Sequence, residues 1–372
     1  MTTPRRPPLP MLTSLRFFAA LDVVFFHLAP QCSNRFLRSL ASSGPEMVEF
    51  FFVLSGFILA YVYISDESAG VMAVNRVDFW KARLARILPA YFLGLLLLAP
   101  IFFYTGLVSR IVLLGEFLPG LVLVPVLLQA WWPPAALLWN IPAWSLSVEV
   151  FFYVVFPSLI GLCAAGRGGR AMAVSFAAVV GAAMVRIAIA DVLPPSKFLN
   201  HFLWYFPPMH LPLFMFGMAL GRWFLDSRSS RLLSQPAVLL WGGIVITVLL
   251  LGFRAWLPGW AVTAPVMSLV FGAVIIGAAA SPPDRGLLRA PLLILLGEAS
   301  YALYILHMPI GFWWKLSVGG LGVAGDWLRF TAFVILAVGL SLACFLWVET
   351  PLRRVILRFA QCRRLSFGCS IK

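Results

Sequence analysis

Residues 87–105 read ILPAYFLGLLLLAPIFFYT, nineteen positions without one charged side chain. As a helix rising 1.5 Å per residue, this stretch is about 28 Å long, close to the thickness of a bilayer's hydrocarbon core. Similar apolar blocks recur near 11–30, 46–65, 143–163, 171–190, 207–225, 237–253, 260–280, 291–312 and 330–349. Of the 372 residues, 62% are hydrophobic and 11% are charged. Soluble domains run near one half and one quarter, so a soluble globular protein is excluded. Disorder is excluded too, because open chains are poor in hydrophobic residues. Lipid offers no hydrogen bonds to the backbone, which leaves the helix as the spanning element for blocks of this length. The expected fold is all-α: a polytopic membrane protein of about ten transmembrane helices, one membrane-embedded domain over 1–372.

Charge sets the topology. Between 87–105 and the next block lies 107–132, apolar but broken by Arg110, Glu116, Pro119 and Pro125. If it does not cross and the N-terminus lies inside, 19 of the 28 Lys and Arg fall on the inner side and 7 on the outer. Arg16 and Arg186 are then left within the membrane. If it crossed, 13 of those 19 would move outside. Lys and Arg concentrate on the cytoplasmic side, so 107–132 is expected to be re-entrant or interfacial. Both termini are expected in the cytoplasm, with residues 1–10 and 353–372 as short basic tails. The N-terminal block resembles a signal peptide but carries Arg16, Asp22 and His27, and it is read as a retained first span. The net charge of +14 is scattered between apolar blocks rather than gathered on one face, which disfavours nucleic acid as a partner. The five cysteines have no metal-ligand spacing and no complete disulfide pairing, so no metal is expected.

Titratable groups within spans are costly, and each is a candidate for function. The first span, LTSLRFFAALDVVFFHL (12–28), carries Arg16 and His27 eleven residues apart, on one helix face and about 16 Å apart. The alternatives are a snorkelling arginine and a histidine bridging neighbouring helices. In NIPAWSLSVEVFFYVVFP (140–157), Ser145, Glu149 and Tyr153 make a polar stripe at i, i+4 and i+8. In LGEASYALYILHMPI (296–310), Ser300, Tyr304 and His307 form a similar stripe. By depth, His27, Glu149 and His307 fall at one level of the outer half, whether or not their helices touch. The cluster Arg76, Lys81, Arg83 and Arg86 before the third span fits lipid headgroups and topology, or else a bidentate phosphate clamp.

These segments, with FFVLSGFILAY (51–61), FWKARLARILPAYF (79–92) and VETPLRR (348–354), occur in the order found in the acyltransferase-3 family, which the chain resembles over nearly its whole length. The resemblance implies an integral-membrane O-acyltransferase of the cell membrane. It would take an acyl group, most simply acetyl, from cytoplasmic acyl-CoA to a hydroxyl on a surface glycan, a lipid-linked sugar or a small molecule. It matches Arg16 and His27 to the family's arginine–histidine pair, and Arg83 and Arg86 to its paired arginines. Thr13 departs from the family's usual aspartate before the arginine. Acyl-CoA would be a substrate, and no permanently bound cofactor is expected.

The chemistry read from the residues agrees. Moving an acyl group from a thioester to an alcohol needs a base near neutral pH, and His27 is suited to it. Glu149 could orient that imidazole as a carboxylate does in hydrolytic triads. His307, Ser145, Tyr153 and Tyr304 are further candidates, and His307 could itself be the base. Arg16, Arg83 and Arg86 would meet the phosphates of coenzyme A. Aromatic residues near the outer side, among them Trp131, Trp144 and Trp204, could stack on sugar rings, although an interfacial belt gives the same pattern and is the preferred reading. The competing class is a transporter or flippase of a polar lipid or solute, because charged residues in spans also mark transport paths.

Overall fold

The computed structural model describes residues 6–64, 71–163, 167–226, 234–282, 286–318 and 326–358, except the side chain of Leu162. Its first half contains α1 (Pro10–Leu28), α2 (Arg35–Ala41), α3 (Gly44–Tyr63), α4 (Arg76–Phe103), α5 (Leu114–Leu123) and α6 (Trp144–Leu159). There follow α7 (Gly168–Val192), α8 (Lys197–Tyr205), α9 (Leu211–Asp226), α10 (Gly243–Gly252) and α11 (Ala264–Ala280). The last are α12 (Pro291–Glu298), α13 (Ser300–Val318) and α14 (Trp327–Cys344). Among the described residues, pairing outside helices amounts to an isolated bridge between Ile64 and Met72.

Six of these helical stretches are long and apolar enough to cross a membrane, and α12 with α13 would make a seventh. The other three segments expected to span form shorter helices. Helix α9 has 16 residues, 238–252 is a π turn leading into α10, and α11 has 17 residues. At 1.5 Å per residue these are about 22–26 Å long, below the hydrocarbon thickness of a typical bilayer. The count of ten therefore exceeds the number of full-length spans. Segment 107–132 is broken, with α5 only 10 residues long and left-handed backbone at Arg110 and Leu127.

Two expected boundaries also change. Residues 291–312 do not form one straight span, because α12 and α13 are bent by 59° at Ala299. The bend sits where Gly297 lies against the backbone of Thr13 in α1; a Cβ there would come within 2.0 Å of the Thr13 carbonyl oxygen. The expected basic tails are partly built into the fold. Arg6 donates to the carbonyls of Tyr61 and Ile64, and Tyr61 donates to Pro7 O at 3.0 Å, docking residues 6–9 on the end of α3. At the other end the helix of α14 continues through a π turn to Arg358, so Arg353 and Arg354 are helical. Residues 1–5 and 359–372 lie outside the described set.

The core of the bundle is the packing of α3 on α9. An added Cβ at Gly56 would lie 2.1 Å from Phe214 O, and one at Gly217 would lie 2.0 Å from Val53 O. Both backbones approach that closely only because glycine has no side chain, the device small residues supply between membrane helices. Overpacking a tight interior costs about 1–3 kcal/mol. Gly217→Val should therefore lower the unfolding temperature in detergent measurably. Gly181→Ala is the control, since nothing lies within 4 Å of that position. Equal melting of the two variants would contradict the packing.

Candidate active site

Five elements enclose a cavity of about 300 Å³: the start of α1 with the docked residues before it, α3, the first turns of α4, α6 and α13. Along α3 its lining runs from Val48 to Val62, about 21 Å at 1.5 Å per residue, or roughly two-thirds of a hydrocarbon core. One end is strongly basic. Arg16, Arg83 and Arg86 all line it, carried there by α1 and by i, i+3 positions on one face of α4.

These guanidiniums are sparsely paired. Arg83 donates to the hydroxyl of Tyr63 at 2.7 Å and sits 4.9 Å from its ring centre, but its Nε has no partner. Arg16 and Arg86 make no hydrogen bond or ion pair within 4 Å to any described residue. Glu149 interacts electrostatically with Arg16 and Arg83, and accepts a hydrogen bond from Tyr153. Two further residues belong to this cluster and were missed in the sequence. Glu349, 4% exposed with an unpartnered Oε2, faces Arg86 and Arg16, and Arg353 borders the same group. Their signal lay in the VETPLRR segment, which was read as a family match without a role for its individual residues. Arginine forks open onto a cavity are a ready site for phosphate oxygens.

The other end of the cavity is closed by hydroxyls and rings. Ser145 Oγ and Tyr304 OH lie 2.7 Å apart, and each is within reach of the carbonyl of Pro142, so that one hydroxyl donates to the other and the second to that carbonyl. Asn140 donates to Ile305 O at 3.1 Å, pinning the turn before α6 to α13. Phe51 packs edge-on against Tyr304, with ring centres 5.9 Å apart. Three residues along α13 from Tyr304, His307 is fully buried and meets His27 of α1, Nε2 to Nδ1 at 3.1 Å. Neither histidine lines the cavity; Tyr304 stands between, its ring centre 6.3 Å from that of His307.

Two of the three residues expected at one level are thus in contact, and the third is elsewhere. His27 and His307 touch, whereas Glu149 lies one turn inward of Ser145. Counting 1.5 Å per residue along α13 and α6, it sits about 10 Å in depth from His307. Its neighbours are arginines and a tyrosine rather than an imidazole. Tyr153 and Ser145 both face the cavity from α6, as their spacing requires. Asp22 accepts from Ser43 at 3.0 Å, tying α1 to the start of α3. Among the described residues no group of three or more His, Cys, Asp or Glu could hold a metal ion.

A membrane cavity carrying paired arginines at one end and leading towards two histidines suits a reaction between an anionic donor and an acceptor on the other side. The profile of a family described as an acyltransferase domain matches residues 11–346. The chain belongs to the acyltransferase-3 family. It is similar to the acyltransferase MdmB of Streptomyces mycarofaciens, 31% identical across 95% of this chain and 94% of that protein. It is similar also to the exopolysaccharide production protein ExoZ of Rhizobium meliloti, 30% identical across 93% of this chain and 98% of that protein. A more limited likeness, 28% identity over 41% of this chain and 24% of the other, relates it to the O-acetyltransferase OatA of Staphylococcus aureus. No solved structure matches the chain. Family membership makes this an O-acyltransferase of the membrane, multi-pass by its apolar helices, and removes the need for a transporter reading.

Proposed function

We propose that the protein moves an acyl group, acetyl in the simplest case, from cytoplasmic acyl-CoA to a hydroxyl of a surface glycan, a lipid-linked sugar or a small molecule at the outer side of the cell membrane. The observation that carries this reading is the cavity itself, with the guanidiniums of Arg16 and Arg86, which make no hydrogen bond or close ion pair to a described residue, at one end and the Ser145–Tyr304 pair at the other. The phosphates of coenzyme A would bind Arg83 and Arg86, with Arg16 deeper. The slender thioester arm would extend towards Tyr304.

His27 would act as the general base. It accepts the acceptor's hydroxyl proton as the new C–O ester bond forms and the C–S bond breaks, and it returns that proton to the departing thiolate. Glu149 then serves the donor end, balancing arginine charge while Tyr153 holds it, rather than orienting the base. The donor site needs its arginines inside, which agrees with ten passes through the membrane, the shorter helices included, and both termini in the cytoplasm. Reporter fusions after residue 372 and within 191–206 are expected to report inside and outside respectively. A C-terminal reporter active only outside would overturn that arrangement. Names among the relatives include exopolysaccharide production and O-acetyl transfer, and a carbohydrate acceptor is the class favoured here. Mass spectrometry of surface glycans and lipids from cells with and without the gene tests it. An acyl mass present on one species only when the gene is present is the expected result.

A further inference from the structure

The hydrogen bonds around the two histidines fix where their protons sit. His27 Nδ1 lies 3.0 Å from Val23 O and His307 Nδ1 lies 3.2 Å from Leu303 O, each the carbonyl one turn back in its own helix. A backbone carbonyl can only accept, so each Nδ1 must carry its ring's proton. In a neutral pair His307 Nε2 is then a bare lone pair, and the 3.1 Å contact has one direction: His27 Nδ1–H donates to His307 Nε2 as well as to Val23 O. The opposite direction would set a lone pair of His27 against the Val23 carbonyl.

The consequence falls on His27 Nε2. It carries the remaining lone pair, bonds to no described residue, and belongs to a ring that is partly exposed, whereas His307 is fully buried. No carboxylate or guanidinium makes a hydrogen bond or ion pair with either ring among the described residues; the nearest ring neighbours are Phe26 and Tyr304. In a hydrolytic triad a carboxylate accepts from the base's Nδ1–H, fixing its tautomer and steadying the imidazolium. Among the described residues, the acceptors for this N–H are a carbonyl and an imidazole.

We infer that His307 is a positioning residue, a neutral imidazole that replaces the triad carboxylate by accepting from His27 Nδ1–H, so that His27 Nε2 is the basic atom. This rests on the reading of His27 as the base. When the acceptor hydroxyl gives its proton to Nε2, the positive charge on His27 spreads to a hydrogen bond that becomes charge-assisted and stronger. Full burial keeps His307 from taking the proton for itself, since a charge there would lack both water and a counter-ion.

Two measurements test this. The protein has four histidines, so nitrogen-15 histidine labelling in bilayers gives a spectrum that single substitutions can assign. His27 and His307 are both expected as the Nδ1–H tautomer; His27 found with its proton on Nε2 would overturn the inference. In acetyl transfer from acetyl-CoA to native membrane acceptors, His307→Ala should lower kcat by about 10²–10⁴-fold, as losing the group that holds a catalytic imidazole does. The KM for acetyl-CoA should be unchanged. His307→Gln, which keeps an acceptor oxygen, should recover most of the rate. Equal rates for the Ala and Gln variants, with His27 still required, would sink the positioning role and leave the base standing. Full activity of His27→Ala would remove the base reading itself.

Discussion

Replacing His27 with Ala should reduce acyl transfer by about 10²–10⁴-fold, the usual contribution of a positioned acid–base group. Insertion and acyl-CoA binding should survive, because the histidine pair lies outside the donor cavity and the arginines are untouched. His27→Gln keeps a hydrogen bond to His307 without a basic nitrogen, so it should be equally inactive but better folded. That pair of variants separates chemistry from packing: the Ala change also leaves the buried His307 Nε2 without a partner. An active Gln variant would show that His27 only bridges α1 and α13.

The second large effect is expected at the arginines. Each charge-assisted hydrogen bond contributes about 1.5–3 kcal/mol. Removing two such contacts should raise the Kd for acyl-CoA by about 10²–10⁴-fold at 1.4 kcal/mol per factor of ten. The Arg83→Gln, Arg86→Gln double variant is the direct test, with binding read by titration calorimetry on protein in nanodiscs. Lysine at either position should recover part of the affinity, since it restores charge but not the two-pronged fork. Arg83 should tolerate lysine less well than Arg86, because its guanidinium also stacks on Tyr63 and donates to that hydroxyl. Unchanged binding by the double Gln variant would reduce the cluster to a topological signal.

Much of this site was legible because membrane sequences are strongly constrained. An isolated charge in a 19-residue apolar run can be found by eye, and Arg16, His27, Glu149 and His307 all announced themselves in that way. Helical spacing then placed Ser145, Glu149 and Tyr153 on one face of α6, and the hydrogen bond from Tyr153 to Glu149 shows that face intact. Which helices touch is a different kind of fact. The meeting of α1 with α12, which leads into α13, depends on close backbone approaches such as Gly297 on Thr13, and no local pattern encodes those.

The assumption that equal depth means one site failed for Glu149 because depth was measured from each span's midpoint. Helix α6 starts at Trp144 after a pinned turn, and Ser145 rather than Glu149 ends up facing Tyr304. Glu349 was passed over because it lies where a span meets a basic segment, a setting in which a carboxylate looks like an ordinary surface residue. Helix length was less legible, for a related reason. Hydropathy reports apolar length, whereas α9 and α11 each begin after a 3-10 turn and α10 after a π turn, breaks that composition does not show.

The most direct measurement uses oriented vesicles from the host membrane, with native acceptors on the outer leaflet and radiolabelled acetyl-CoA added at the cytoplasmic face. Vesicles containing the wild-type protein should transfer label to outer-leaflet glycan or lipid. Those containing correctly inserted His27→Gln or the double arginine variant should not. Label appearing equally with His27→Gln, or without the protein at all, would contradict the account.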